Sequence, residues 1–392
     1  MKRTITLMLL PLVLVAGRAS AQGDGRFRSG PLTWTPTLTL RDAGYDSNVY
    51  DEPANPRRDY SAVFSPQAEG KLAFAMMDVR FGGSADFVYF QRYTNERSIN
   101  SRGNARADFN LSRLKPFVGG GYLDSRERLS SEIDVRARST DRSASAGVGI
   151  ELTPRGSLEL GANFSSTSIQ QGETFRGVDL ARRLNRESTG ATARLKYEVT
   201  PLTRFFVEGG ASRDKYTLSP GYDADNLNGK VGFEFEPEAV LKGRASVGFH
   251  RIEPVGPLAI PFEGLTAAVE LGWVLLGRTR FDARIARDTS YSFEQQPYSL
   301  QTIYGGEILH NLYGPLDVIG RASRETLDYP GIPERNVFED TLEITRWGGG
   351  VAIRPGTRVR LTLNYEVIDR AAQLTDRNYG RRRLYTTVTY GF

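Results

Sequence analysis

The sequence predicts an all-β protein, a single closed antiparallel transmembrane β-barrel of about eighteen strands. Three observations carry that prediction. Apolar and polar residues alternate along most of the chain, in segments of about ten to fifteen residues with the period of a strand that has two chemically different faces. The connections between segments alternate between short and long. The composition sets 41 glycines beside 18 tyrosines and 20 phenylalanines in 392 residues, which disfavours helix and suits a pleated surface.

The first element reads as an export signal. Met1, Lys2 and Arg3 are a basic start, residues 4–17 are an apolar stretch, and Ala19-Ser20-Ala21 is a small-residue cleavage pattern. Cleavage is expected before Gln22, giving a signal peptide over 1–21, a short periplasmic segment over 22–31 and the barrel over 32–392. Losing Lys2, Arg3 and Arg18 lowers the formal charge from +5 to +2, so the sequence pI of 9.3 overstates the basic character. With no concentrated basic stripe, nucleic acid is not an expected partner.

The strands follow in order. Leu158, Leu160, Ala162 and Phe164 alternate with Glu159, Gly161, Asn163 and Ser165. Ala191, Ala193, Leu195, Tyr197 and Val199 alternate with Thr192, Arg194, Lys196 and Glu198. Val359, Leu361, Leu363, Tyr365 and Val367 do so with Arg360, Thr362, Asn364 and Glu366. Tight connections fall at 154–156, 201–202, 277–278, 314–315 and 355–356. Longer polar ones fall at 49–58, 125–140, 170–186, 253–261, 328–338 and 372–381. A soluble sandwich has no reason to keep one end short throughout, whereas an outer-membrane barrel has short periplasmic turns and longer extracellular loops. The expected count is 16–18, even, with both termini periplasmic and no exposed edge. After the signal no apolar run is long enough for a helical span, so lipid is the expected cover of the apolar face.

The chain ends on Leu384, Val388, Tyr390 and Phe392 in one phase. Val388, Tyr390 and Phe392 look like the closing strand that the barrel-assembly machinery reads. The first hairpin carries Gly44-Tyr45-Asp46-Ser47-Asn48-Val49-Tyr50 and then Asp59-Tyr60-Ser61-Ala62-Val63-Phe64-Ser65-Pro66, leading to Glu69. This hairpin resembles the opening of a family of outer-membrane β-barrel porins associated with exopolysaccharide export. The resemblance implies a single-domain barrel and, as partners, periplasmic polysaccharide-export proteins and a polysaccharide cargo.

A barrel of this size leaves an aqueous lumen unless something fills it, and the short lead before the first strand is too small for a folded plug. Candidate pore-lining residues by phase are Arg80, Arg106, Arg194, Lys196, Arg244, Arg284, Arg358 and Arg360, against Asp86, Asp108, Glu159, Glu198, Glu208, Glu234, Asp282 and Glu366. Rings of charge select ions or an acidic polymer, but near-balanced lists equally describe cross-strand neutralisation. The candidate constriction loop is 170–186, with Arg176, Arg182, Arg183 and Arg186; a solvated loop is the simpler reading of it. Trp34, Tyr45, Phe87, Tyr89, Trp273, Tyr390 and Phe392 read as lipid-interface girdles, and Phe90 and Phe206 as inward aromatics open to sugar stacking.

Zero cysteines and two histidines, His250 and His310, leave little for catalysis, metals or cofactors. No cofactor and no enzyme activity are expected. The leading expectation is a channel for polysaccharide export across the outer membrane. The alternatives are a diffusion porin for small solutes and a structural or surface-binding barrel.

Overall fold

In the computed structural model the described residues are 20–22, 26–236, 239–257, 260–293, 297–329, 340–373 and 377–392. All but the last residues of the expected signal therefore lie outside them, as does most of the connection at 328–338.

Eighteen long strands make the wall. The first half comprises β1 (Leu32–Asp46), β2 (Asp59–Ala73), β3 (Met77–Phe90), β4 (Ser98–Phe109), β5 (Leu114–Arg128), β6 (Arg136–Thr153), β7 (Gly156–Ile169), β8 (Arg186–Thr200) and β9 (Thr203–Tyr216). The second half comprises β10 (Ala224–Phe235), β11 (Leu241–Pro254), β12 (Phe262–Leu275), β13 (Thr279–Tyr291), β14 (Tyr298–Tyr313), β15 (Leu316–Tyr329), β16 (Asp340–Ile353), β17 (Val359–Ala372) and β18 (Tyr379–Gly391). Each pairs antiparallel with its sequence neighbours, and β18 pairs with β1, so the sheet closes on itself. Two short strands precede the wall: Arg26–Ser29 pairs with the start of β1, and Ser20–Gln22 pairs with Arg26–Ser29. Part of the expected free segment 22–31 is thus an extension of the sheet.

The register sorts the side chains as the alternation predicts. On β8, Leu195 and Tyr197 are exposed on one face, while Arg194 sits on the other, opposite Glu159 on β7 and Glu208 on β9. The exposed face carries Phe64 against Phe87, Trp273 against Phe281, and Trp347 against Tyr365 as cross-strand ring pairs. Large exposed apolar residues recur on this face from Phe64 to Leu384, an arrangement that is stable only against an apolar solvent. The opposite face is the lumen wall.

One end of the barrel is made of tight turns. Leu275 and Arg278 close one such turn, and Gly314 closes another at φ 53°, a left-handed conformation that costs glycine little. The other end carries the longer connections. All three clusters of buried apolar residues lie at this loop end, so the packed core sits at one mouth and the middle of the barrel is polar.

The seam between β1 and β18 explains the hairpin motif. A Cβ on Gly44 would sit 2.1 Å from the Leu384 carbonyl oxygen, so only glycine permits that approach. The β1 bulge between Arg41 and Gly44, with Asp42 at φ 54°, lies beside it. Asp46 accepts from Arg381 Nε at 2.9 Å, and Arg383 reaches Asp42, Asp46 and Glu366. Buried Asn48 donates through Nδ2 to the Glu52 carbonyl and accepts from Glu52 N. Asp59 accepts from the backbone N–H groups of Tyr60, Arg92 and Tyr93. The motif residues fasten the first loop and the closing strand; their neighbours are wall and loop groups.

Candidate functional site

The lumen has two zones. Below the loops its wall is a lattice of ion pairs, open to water at Arg80 and largely covered at Arg194 and Glu208. Arg80 and Arg106 both reach Asp108, at 2.7 and 2.8 Å. Arg194 bonds Glu208 and, at 3.2 Å, Glu234, while Lys230 reaches Glu208 at 2.7 Å. Lys196 meets Glu159 at 3.1 Å, Arg280 meets Asp282 at 2.8 Å and Arg383 meets Glu366 at 3.2 Å. Asp86 accepts from Arg41 and Ser65. Arg284 and Arg360 stand 3.9 Å from Glu270 and Asp317. Arg244 lies in register between Glu234 and Glu270, and Glu198 lies opposite Arg204. Arg358 is in the turn before β17, where its carbonyl accepts from Gly391 N. The sequence-predicted residues on strands thus share the lumen face, and most stand beside an opposite charge. Such pairs follow from the register, because directly opposed residues lie close enough to interact.

The loop end is built differently. Residues 129–135 join β5 to β6 yet fasten to strands a third to a half of the circumference away. Glu132, buried, accepts from the Tyr329 hydroxyl at 2.6 Å on β15, from Phe293 N at 2.8 Å and from Ser292 Oγ at 3.2 Å. Asp134 takes a two-pronged bond from Arg370 on β17, at 2.5 and 2.7 Å. At the root of the loop, Arg128 binds Asp51 and the carbonyls of Val49 and Asp134. To reach these groups the loop crosses the lumen. Burial pushes the Asp134 carboxyl above its usual range, against the pull of the Arg370 hydrogen bonds.

The loop at 170–185 completes the crossing. It holds a two-residue hairpin, Thr174–Phe175 with Val178–Asp179, and a short helix α1 (Leu180–Leu184), with Asp179 accepting from Arg182 N at its start. Leu180, Ala181, Leu184 and Phe175 pack with Ile133 of the crossing loop and with Phe293. Phe175 and Phe293 meet edge to face with centroids 5.0 Å apart. The apolar residues of this loop are therefore its inward part. Of the arginines proposed to line a constriction, Arg176 and Arg182 are exposed at its rim. Arg183 bonds the Tyr222 hydroxyl, and Arg186 stacks 3.4 Å over the Tyr291 ring.

Sequence reasoning missed the 129–135 loop. Its readable signal was Ile133 between two acids, an apolar residue with no reason to sit in a solvated connection. The inward aromatics also differ from expectation. Phe206 is fully buried with Arg194 5.0 Å over its ring, and Phe90 carries Arg136 at 4.9 Å, so Phe206 offers no face to a sugar and Phe90 already holds a cation. Of the histidines, His250 faces the lumen beside Asp288 and Thr289, and His310 bonds Thr279 on the neighbouring strand. Val388 pairs with Leu40, and Tyr390 meets Phe392 at 4.9 Å.

Residues 24–392 match the model of the family described as "Putative beta-barrel porin 2". No curated protein matches the sequence. Among solved structures, the outer membrane protein OpdK from Pseudomonas aeruginosa is 10% identical, with 92% of this chain and 99% of that one covered at a TM-score of 0.51. The same protein solved with vanillate is 11% identical, with the same coverage and a TM-score of 0.52. A BenF-like porin from Pseudomonas fluorescens is 11% identical, again covering 92% and 99%, with a TM-score of 0.51. At these identities the likeness is one of fold.

Proposed function

The chain belongs to this family of β-barrel porins, and from that premise we propose that it is an outer-membrane diffusion channel for small solutes, narrowed at its extracellular end by two inward-folded loops. The observation that carries the reading is the 129–135 loop held across the lumen by Glu132 and Asp134. A polymer in transit needs a continuous wide bore, whereas a loop anchored on both sides narrows it. The expectation of polysaccharide export finds no support in the family match or in the fold neighbours, and it gives way to the diffusion porin. OpdK, solved with vanillate, is a fold neighbour that holds a small solute, which is in keeping with this reading.

Purified protein in planar bilayers tests it. Discrete conductance steps, with swelling of proteoliposomes in small but not polymeric sugars, are the expected result. Silent bilayers and no swelling would overturn the channel. Deleting the gene should leave surface polysaccharide unchanged. The aromatic outer face makes outer-membrane lipid the immediate partner, and the Val388, Tyr390 and Phe392 strand is the proposed signal to the barrel-assembly machinery. Removing Phe392 should lower the yield of membrane-inserted barrel. The mature N-terminus, read by sequencing, should be Gln22.

A further inference from the structure

Beside the crossing loops the lumen wall opens into a half-open pocket of about 190 Å³ between the loop ends of β9 and β14. At roughly 30 Å³ for each water molecule of liquid volume, that space equals about six waters, the scale of one sugar ring. Its polar centre is Asp214. This carboxylate is only 4% exposed, and its Oδ2 accepts from Asn226 Nδ2 and from the Tyr291 hydroxyl, each at 3.0 Å. Its Oδ1 is buried with no hydrogen-bond partner among the described residues. A buried carboxylate oxygen left bare is costly, and Asp214 is one of the residues that line the cavity.

The rest of the lining narrows the chemistry. Tyr216, Tyr222, Tyr291 and Tyr298 contribute aromatic surface, and Asn228 and Ser212 add small polar groups. Asp288 is engaged by His250 at 3.0 Å, and the Arg186 guanidinium lies 3.4 Å over the Tyr291 ring whose hydroxyl bonds Asp214. The charge around the pocket is therefore partly compensated, which removes the drive for a strongly cationic ligand. Two carboxylates on the lining oppose an anionic one. What remains is a solute with several hydroxyl donors and an apolar ring face.

We propose that this pocket is a recognition site for a neutral, monosaccharide-sized polyhydroxylated solute, with the Asp214 carboxylate accepting a hydroxyl as its side chain turns toward the solute and the tyrosines covering the ring. The proposal rests on the small-solute channel reading and names the class of solute it favours. The test is titration of folded full-length protein in detergent with D-glucose, vanillate and 1,4-diaminobutane, followed by calorimetry. Saturable glucose binding stronger than that of the other two is expected. It should weaken roughly tenfold in Asp214→Asn, which keeps the shape but loses the charged acceptor, and should also weaken in Asn228→Ala. A mobility difference between unboiled and boiled samples on a denaturing gel establishes that each variant is folded. Tighter binding of the acid or the amine, a flat glucose titration, or unchanged affinity in folded Asp214→Asn would overturn the site. Conductance without glucose binding would remove the site and leave the channel; glucose binding without conductance would support the site and remove the channel.

Discussion

The turn-end wall and the loop-end crossing use the same pairing of arginine with carboxylate, in opposite surroundings. On the wall, Arg80 is 65% exposed while it reaches Asp108; at the crossing, Arg370 is 1% exposed while it reaches Asp134. An exposed pair contributes at most about 1 kcal/mol, because water and salt screen it. Removing one partner of a buried pair costs about 3–5 kcal/mol, because a charge is left without water or counter-charge. Exposed wall charges such as Arg80 can therefore be exchanged with little effect on the fold, and the crossing charges cannot. Tuning and closure reside in different zones of one lumen.

Substitutions can break that contrast. The largest effect is expected for Arg370→Ala, which strands Asp134 and releases one anchor of the 129–135 loop, a loss of about 3–5 kcal/mol. Larger conductance steps in planar bilayers are the predicted readout, and unchanged steps would mean that the loop does not bound the passage. Nearly as large is Arg381→Ala at the seam, where Asp46 and Asp51 lose a shared partner. There the barrel should lose its heat-resistant gel mobility at a lower temperature while its conductance is unchanged.

An intermediate effect is expected from pH. Asp134 has a raised pKa in the crossed loop, so the crossed form binds a proton more readily than a form in which this carboxyl is in water. Through this group acidification favours the crossed loop, and the contribution fades as pH rises through the raised value. Open probability should fall as pH drops toward the ordinary aspartate range, and Asp134→Asn should flatten that dependence. An increase in opening on acidification, lost in the same variant, would reverse the assignment. The smallest effect belongs to Arg80→Gln. Stability should shift by less than about 1 kcal/mol, with a slight gain in cation selectivity measured by reversal potential.

How far the sequence reveals each zone follows from the range of the interactions. The wall was legible because its determinant is local: period two sets the face of Arg194 and Leu195 from their neighbours alone, and strand phase placed both Arg80 and Glu366 on the lumen side. The alternation of short and long connections gave the strand number and the two ends. The crossing was not legible, because Glu132 and Tyr329 are 197 residues apart and Asp134 and Arg370 are 236 apart. No periodicity links such positions. The arginines of 170–186 drew attention as charges, whereas the burial falls on Leu180, Ala181 and Leu184, since desolvation selects apolar groups for the packed side of a loop. The hairpin motif was visible as a pattern, but its service to the seam required the closed ring.

That seam also governs time. Every other wall pairing joins strands adjacent in the chain, but the second edge of β1 must wait for β18, which follows all the other wall strands. Until β18 arrives, β1 presents an edge covered only at its start by the Arg26–Ser29 strand, and the closing contact has the longest loop to traverse of any wall-strand pair. The ring cannot close before all eighteen wall strands have been made. Its final step is a rendezvous of two ends, during which another agent has to shield both edges.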